Sequence, residues 1–584
     1  MRTHSSKKSR GDLRVYRKLV LVGVAAACLF VAACSNESQE GKSSTSTAGQ
    51  ETASASSSKT PEQDFDPMQK YDPPVEVTTV RSMNPSIIWD QGESYDRNGV
   101  YAAYENDLGI KIKNLWSVDG SQYDQKVNIA IASGDIPDLM QVNSVQFQQL
   151  LDADMLMDIG EIFEKYATSY TKEYVTRDGG GQLDSTKING KMMALPYTNG
   201  VHNDSTYLFI RNDWLAELGL QPPKTMQDLE AISTAFTRND PDRNGKDDTF
   251  GLALQKDLMS GSLGLQGFFN GFHAYPNIWL NNEAGELVYG SIQPEMKNAL
   301  AKLKEMYANG EIDKEFGVKD LAKEAELIAQ DKIGITYGLF WTGNYPLQAG
   351  AVKDGKVIQD WGVYPIVSAD DQIAKAQLQK STGLYYVVSK KAKNPEAIIK
   401  MYNQSIWAMD APATEPNAAK YVKGKIQIEG GADQTYYVLN PTFVGKQDRF
   451  PVVGKAISKA LAEKDPTLLP DSELILYDFM TDYLKGNTDH WGYAMQLKQG
   501  GTLETMYQYT QENRFVFNEY FGALTPSMAE KNSTLSKKQE EVFTRIIVGA
   551  APLEEFDSFV EQWKSLGGND ITQEVNEWYQ TVKR

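Results

Sequence analysis

The feature that most constrains this chain is an apolar run without a charge, Leu19 to Ala33, that ends on a cysteine. Ahead of it Arg2, Lys7, Lys8, Arg10, Arg14, Arg17 and Lys18 form a basic leader, so residues 1–33 read as a secretory signal. The run is short for a bilayer span, and no later stretch is apolar for long enough to be one. The folded part is therefore expected outside the cytoplasm. The two cysteines are Cys28 and Cys34, so nothing beyond residue 34 can form a disulfide or do thiol chemistry. An exported chain of this kind must stand on its hydrophobic core alone. Roughly 500 residues are enough for two or more lobes.

Val31-Ala32-Ala33-Cys34 sets small residues directly before the cysteine, whereas Cys28 lies inside the apolar run. This order resembles the lipobox of bacterial lipoproteins. The resemblance implies that Cys34 is diacylated (palmitate-type chains), becomes the mature N-terminus and holds the protein on the outer face of the cell membrane, in the Gram-positive manner. From Ser35 to about Asp66 the chain is Ser, Thr, Ala, Gln, Glu and Gly with almost no large apolar residue. Such a segment cannot offset its ordering entropy by burial, so residues 34–72 are expected to be the lipidated Cys and a flexible tether.

Residues 1–33 carry seven of the 59 basic and one of the 77 acidic residues, so their removal takes the net charge from −18 to about −24. That balance argues against nucleic acid and against flat binding to anionic lipid. The four histidines, His4, His202, His273 and His490, are scattered without a His-x-x-x-His pair, which argues against a zinc hydrolase.

Local patterns give an α/β chain. Val75 to Val80 reads as a strand, Gly99 to Leu108 as a helix and Ile110 to Leu115 as a strand. Ser121 and Asp124 suggest a capping box. Tyr123, Val127, Ala130 and Ile131 then lie on one face of a helix that stops at Gly134, before a strand at Asp138-Leu139-Met140. The alternation predicts a parallel sheet with helices on both faces. A second unit starts near Tyr207. Leu208 to Arg211 is its strand, and Thr225 with Asp228 caps a helix lined by Leu229, Ile232 and Phe236. Helical periodicity returns at 294–308 and 319–329, while 410–530 has no readable pattern.

Several segments together resemble the extracellular solute-binding proteins of ABC importers, the family-1 or carbohydrate type, and within them the large lipoproteins of Gram-positive bacteria. They are Tyr123 to Val127 with Ala132 to Asp138, Gly190-Lys191 with Leu195-Pro196-Tyr197, and Arg211 to Leu215 with Leu218-Gly219-Leu220. Asp240 to Gly251, Tyr337 to Gln348 and Ile546 to Trp578 complete the set. The resemblance implies a two-lobe periplasmic-binding-protein-like fold (type II), hinged by crossing strands, with ligand in the cleft. Crossings are expected near Leu195-Pro196, Tyr364-Pro365 and Val387-Val388. Lobe one is then 73–195 plus 366–388, and lobe two 196–365 plus 389–584.

Sugars are held by aromatic faces laid on C–H faces and by planar polar groups on hydroxyls. Tyr337 to Pro346 concentrates aromatics among turn-forming residues. By resemblance Trp341 is the stacking aromatic, with Phe340 and Tyr345 beside it. On a strand, one of the adjacent pair Phe340 and Trp341 would face the core and the other the ligand. Further candidates are Asn143 and Ser144 after the strand near Val142, Tyr197 past the first crossing, Trp89 and Asp90 after the first strand, and Trp279.

Asp240-Pro241-Asp242-Arg243-Asn244-Gly245-Lys246-Asp247-Asp248 opens like a calcium loop, D-x-D-x-N-G. The expected ligands are Asp240, Asp242, Asn244, the Lys246 carbonyl and Asp248, around a structural calcium. The twelfth position, Glu in an EF-hand, is Gly251 here. The loop resembles that of alginate-type binding proteins, in which a further acidic residue follows; Thr249 takes its place. The bland alternative is an Asx-rich turn without metal.

The leading expectation is a monomeric, membrane-tethered receptor, not an enzyme, that captures an oligosaccharide and delivers it to the transmembrane subunits of an ABC permease. A surface glycoside hydrolase, or the same fold binding peptide or another solute, are the alternatives.

Overall fold

The structure is a computed structural model. It describes residues 65–582 apart from 178–179, 198–199, 381, 412–413, 423–424, 429–433, 436–438 and 447–448. The signal sequence, Cys34 and the tether up to residue 64 lie outside the described residues. Among the described residues no helix is long and apolar enough to cross a membrane.

The first part of the chain builds on two parallel strands, Val75–Met83 and Ile110–Asp119. Asp119, not Ser121, caps the helix Gly120–Ser133, because its carboxylate accepts the Ser121 N–H at 2.9 Å. That helix buries Val127 and Ala130 and ends at Gly134, whose φ of 70° suits glycine. The Asp138 carboxylate accepts the Thr78 N–H and hydroxyl at 2.8 and 2.7 Å, tying the next strand, Leu139–Asn143, to the first. The expected all-parallel sheet stops there. Leu139–Asn143 pairs antiparallel with Leu384–Val388, which also pairs antiparallel with Ala194–Pro196. The central strand of this sheet thus arrives more than 180 residues after its neighbours.

The second half centres on a four-stranded sheet in the order Trp361–Tyr364, Tyr207–Arg211, Ile333–Gly338, Phe250–Leu252. Helix Met226–Arg238 begins with the expected reciprocal cap: the Thr225 hydroxyl accepts the Asp228 N–H at 3.1 Å, and the Asp228 carboxylate accepts the Thr225 N–H at 3.0 Å. Its Leu229, Ile232 and Phe236 are buried, as are Met296, Leu300, Leu303 and Met306 of Pro294–Ala308. The helices Arg449–Glu463, Leu474–Leu484, Trp491–Leu497 and Thr502–Gln511 fill the stretch that carried no readable pattern.

Buried side chains divide the molecule differently from the expected lobes. Tyr207 to Leu378 and Val453 to Val575 share one core. Residues 389–444, expected with lobe two, instead contribute Ala392, Ile398, Tyr402, Tyr421 and Val444 to the core of Val77, Tyr104 and Leu195. Residues 366–378, expected with lobe one, bury Ile366, Val367 and Leu378 in the second core. The chain therefore crosses after Tyr197, between Leu378 and Tyr385, and between Val444 and Val453. The crossing expected at Tyr364-Pro365 is not one. Proline marked a bend there, but the apolar residues after it stay with the sheet they follow. Met68 and Tyr71, placed in the tether, pack on the first core.

Candidate ligand-binding cleft

Between the two cores lies a cavity of about 410 Å³. Ser144 and Tyr385 line it from the sheet of Leu139–Asn143 and Leu384–Val388, where Tyr385 belongs to a third buried cluster with Val142, Phe147 and Val387, and Asn277, Trp279, Tyr289, Asn518, Tyr520 and Trp563 line it from the second core. The second wall is built by a short antiparallel pair, Trp279–Asn281 with Leu287–Tyr289, which sets Trp279 opposite Tyr289. The Tyr289 ring stacks on Trp563 at 4.9 Å and 9°, and Trp279 lies 5.3 Å from Tyr289. Strand Phe515–Asn518 pairs parallel with Ala376–Gln379, placing Asn518 beside Gln379 at the carboxyl ends of both. Ligands gather at such ends. The Asn518 side-chain oxygen accepts the Trp279 N–H at 2.9 Å, and its Nδ2 donates to Gln379 at 2.7 Å. Asn277 Oδ1 accepts from the Tyr289 hydroxyl at 3.1 Å and from Gln539 at 3.0 Å. Asn518 thus holds the backbone of Trp279, and Asn277 holds the Tyr289 ring through its hydroxyl.

Tyr385 on the facing wall stacks on Phe147 at 4.4 Å. Burial raises its phenol pKa, against the Ser185 and Ser144 hydroxyls that bond it. Tyr520 is raised by burial first, then by Glu574 and by Tyr385 across the cleft. Both phenols stay neutral at any ordinary pH, and the Tyr520 hydroxyl donates to the Ala523 carbonyl. Among the described residues that line the cavity there is no Asp, Glu, Lys or Arg. The surface suits stacking and neutral hydrogen bonding and holds no carboxylate pair of the kind glycosidic hydrolysis uses.

The sequence-based candidates distribute as follows. Ser144 and Trp279 line the cleft. Asn143 caps the helix Ser144–Asp152: its side chain accepts the Gln146 N–H at 3.0 Å and its own N–H donates to Gln146 at 3.1 Å. Tyr197 sits at the first crossing, against Phe443 at 5.6 Å and Tyr386 at 6.0 Å. Trp89 meets Tyr95 edge-on at 5.0 Å beside the first core, and Asp90 is exposed. Phe340 and Trp341 stand in a turn after Ile333–Gly338 rather than on the strand, so the alternation argument does not apply to them. Phe340 packs on Phe450 at 4.4 Å, Trp341 is half-buried and Tyr345 is exposed; none of the three lines the cavity. Sequence reading missed Tyr289, Tyr385, Asn518, Tyr520 and Trp563. The alternating Phe515-Val516-Phe517-Asn518 ahead of Tyr520 was the available signal, a strand ending in polar and aromatic groups.

In the loop 240–248, the Asp240 carboxylate accepts the N–H groups of Asn244 and Gly245 at 3.1 and 3.0 Å. The Asn244 amide donates to Asp242 at 2.6 Å and to Asp248 at 3.1 Å, and its oxygen accepts the Lys246 N–H at 2.8 Å. Burial, then the neighbouring Asp240, raises the Asp242 pKa. Asp248 is lowered by Asn244 and by Lys332 at 3.3 Å. Among the described residues no group of three or more His, Cys, Asp or Glu is set to hold a metal. The hard oxygens of Asp242 and Asp248 nonetheless meet on one amide, which fits a calcium loop in donor type while leaving it short of ligands.

A family model described as bacterial extracellular solute-binding protein matches residues 90–408, more than half of the chain. The polygalacturonan/rhamnogalacturonan-binding protein YtcQ of Bacillus subtilis (strain 168) is 26% identical over 510 residues, covering 85% of this chain and 91% of that protein. Lipoprotein LipO of the same organism is 23% identical over 495 residues, covering 84% and 90%. Among solved structures, an HMO-binding, ABC-transporter-associated solute-binding protein from Bifidobacterium longum infantis ATCC 15697 matches with a TM-score of 0.59 at 16% identity. It covers 88% of this chain and 99% of that one.

Proposed function

This chain belongs to the bacterial extracellular solute-binding proteins, and from that premise we propose that it captures an oligosaccharide between its two cores and presents it to an ABC permease. The observation that carries the reading is the aromatic wall Trp279, Tyr289 and Trp563, held rigid and facing Tyr385 and Ser144 of the opposite wall. Sugar C–H faces stack on such rings, and hydroxyls meet the phenols and Ser144. Ligand touching both walls favours the closed arrangement, the form a permease can read as loaded. No step breaks a bond in the ligand. Calorimetry of the chain without residues 1–33 against glycan and peptide panels tests this. Binding of an oligosaccharide recovered intact supports the reading; a cleaved product would replace it with a hydrolase, and binding of peptides alone with a peptide receptor.

The relatives named as binding proteins and lipoproteins support an anchored location, and Cys34 is the one cysteine at the end of the apolar run. Cys34→Ala should abolish lipid labelling and release the protein; labelling that persists would end that assignment. Calcium in the loop 240–248 would be held by Asp240, Asp242, Asn244, the Lys246 carbonyl and Asp248, pinning the connection between Met226–Arg238 and Phe250–Leu252. Calcium should then raise the melting temperature, and Asp242→Ala should remove the response. Identical melts in calcium and in chelator would leave a metal-free turn.

A further inference from the structure

Resting on the reading of the cleft as the sugar site, we propose that it selects uncharged oligosaccharides and turns away those built from uronic acids. Every polar side chain of its lining is a hydroxyl, a carboxamide or an indole N–H; Asn532 and Ser536, exposed on the helix Pro526–Ile547, complete the rim. Three cations of adjoining segments are engaged, while Lys537, exposed beside Ser536 on the same helix, makes no ion pair among the described residues. Lys380 meets Glu519 at 2.5 Å, Lys531 meets Glu530 at 2.5 Å, and Lys538 meets Glu541 at 3.6 Å. Glu574, which accepts the N–H and hydroxyl of Ser527 at 3.1 and 2.8 Å, places a negative charge close enough to Tyr520 to raise its phenol pKa.

A uronate drawn into this space would shed its hydration without meeting a counter-charge, inside a chain that carries a net charge of −18. A neutral sugar pays no such penalty, because hydroxyls and phenols can each donate and accept. The likeness to a relative named for polygalacturonan binding does not carry that ligand over. Arg and Lys are the groups that pair with carboxylates bidentately or as point charges, and among the described lining residues there is neither.

The test is calorimetric titration of the chain without residues 1–33, with two series matched in length. One holds neutral xylo-, galacto-, manno- and fructo-oligosaccharides, the other oligogalacturonates. A neutral member should bind, with the uronate series weaker by roughly 100-fold or more. Asn532→Lys, on an exposed helix position, should narrow that gap by about tenfold. Oligogalacturonates binding as tightly as any neutral sugar would overturn the charge selection and leave the glycan receptor standing. Failure of both series would overturn the sugar reading itself. A gap unchanged by Asn532→Lys would show that the discrimination is not made at this cleft.

Discussion

The two walls of the cleft are made in different ways. On the second core, three aromatic rings pack on one another, with Asn277 on the Tyr289 hydroxyl and Asn518 on the Trp279 backbone N–H, so the surface stands complete without its ligand. Among the described lining residues the opposite wall brings Ser144 and Tyr385, at the start of one helix and in the middle of one sheet. Preorganised rings cut the entropic cost of capture. A sparse opposing wall adds little affinity of its own but is well placed to respond once the ligand sits. The preformed surface thus belongs to the second core and the sparse one to the wall of Ser144 and Tyr385.

The largest test of that division is Trp563→Ala. Trp563 is 3% exposed and packs in the second core as well as under Tyr289, so its loss should cost about 3–5 kcal/mol of stability and abolish binding. Denaturant unfolding reads the first effect. Trp341→Ala is the control for where the wall ends. Trp341 is half-buried in the turn before Gly343–Leu347 and does not line the cavity, so the fold should survive and affinity should fall by less than for Tyr289→Ala. A loss at Trp341 that equals or exceeds the loss at Tyr289 would extend the wall to that turn.

A second contrast between the cores is in pH. Glu324 is fully buried in the second half, with one carboxylate oxygen accepting the Leu254 N–H at 3.3 Å and the other unpartnered. Burial first, then Asp313, pushes its pKa up to about 7 from an ordinary 4.5, against the Leu254 N–H and Lys319. The folded state keeps this proton up to about pH 7, while the unfolded chain releases it near 4.5. Its contribution is therefore fully present below pH 4.5 and lost as pH rises through 7, roughly 3 kcal/mol in all. Glu324→Gln should flatten the stability profile between pH 5 and 8. A variant with the parental slope would place the titration elsewhere.

How much of this was legible in the sequence follows from the range of each interaction. The cap at Thr225 and Asp228, the stop at Gly134 and the buried face of Pro294–Ala308 depend on residues within a few positions, and periodicity reveals them. Leu384–Val388 lies between Leu139–Asn143 and Ala194–Pro196, and nothing in its own composition names those partners. For the same reason nothing local shows that residues 389–444 join the core of Val77, Tyr104 and Leu195. The cleft is the extreme case. Trp279 and Tyr289 face each other on one short strand pair, but Trp563 lies far downstream, and only Trp279 stands out in the sequence as a lone aromatic. Ser144 was found by its place at the end of a strand, a topological rule rather than a motif.

The smallest expected effect separates the two walls most cleanly. Ser144 begins the helix Ser144–Asp152, but its neighbour Asn143 supplies the cap, so Ser144→Ala should leave the fold intact. Asn143→Ala, in contrast, should cost about 1 kcal/mol of stability. What Ser144 loses is one hydroxyl beside the Tyr385 phenol, worth about 0.5–1.5 kcal/mol of affinity if a sugar hydroxyl uses it. The asymmetry also fixes where that loss must appear. A wall that joins after capture leaves the association rate alone and speeds dissociation, whereas Tyr289→Ala, in the preformed wall, should disturb the first encounter as well. Stopped-flow fluorescence separates the two rates. Slower association in Ser144→Ala would mean that both walls grip the ligand at once, and that the second wall is not the sole point of capture.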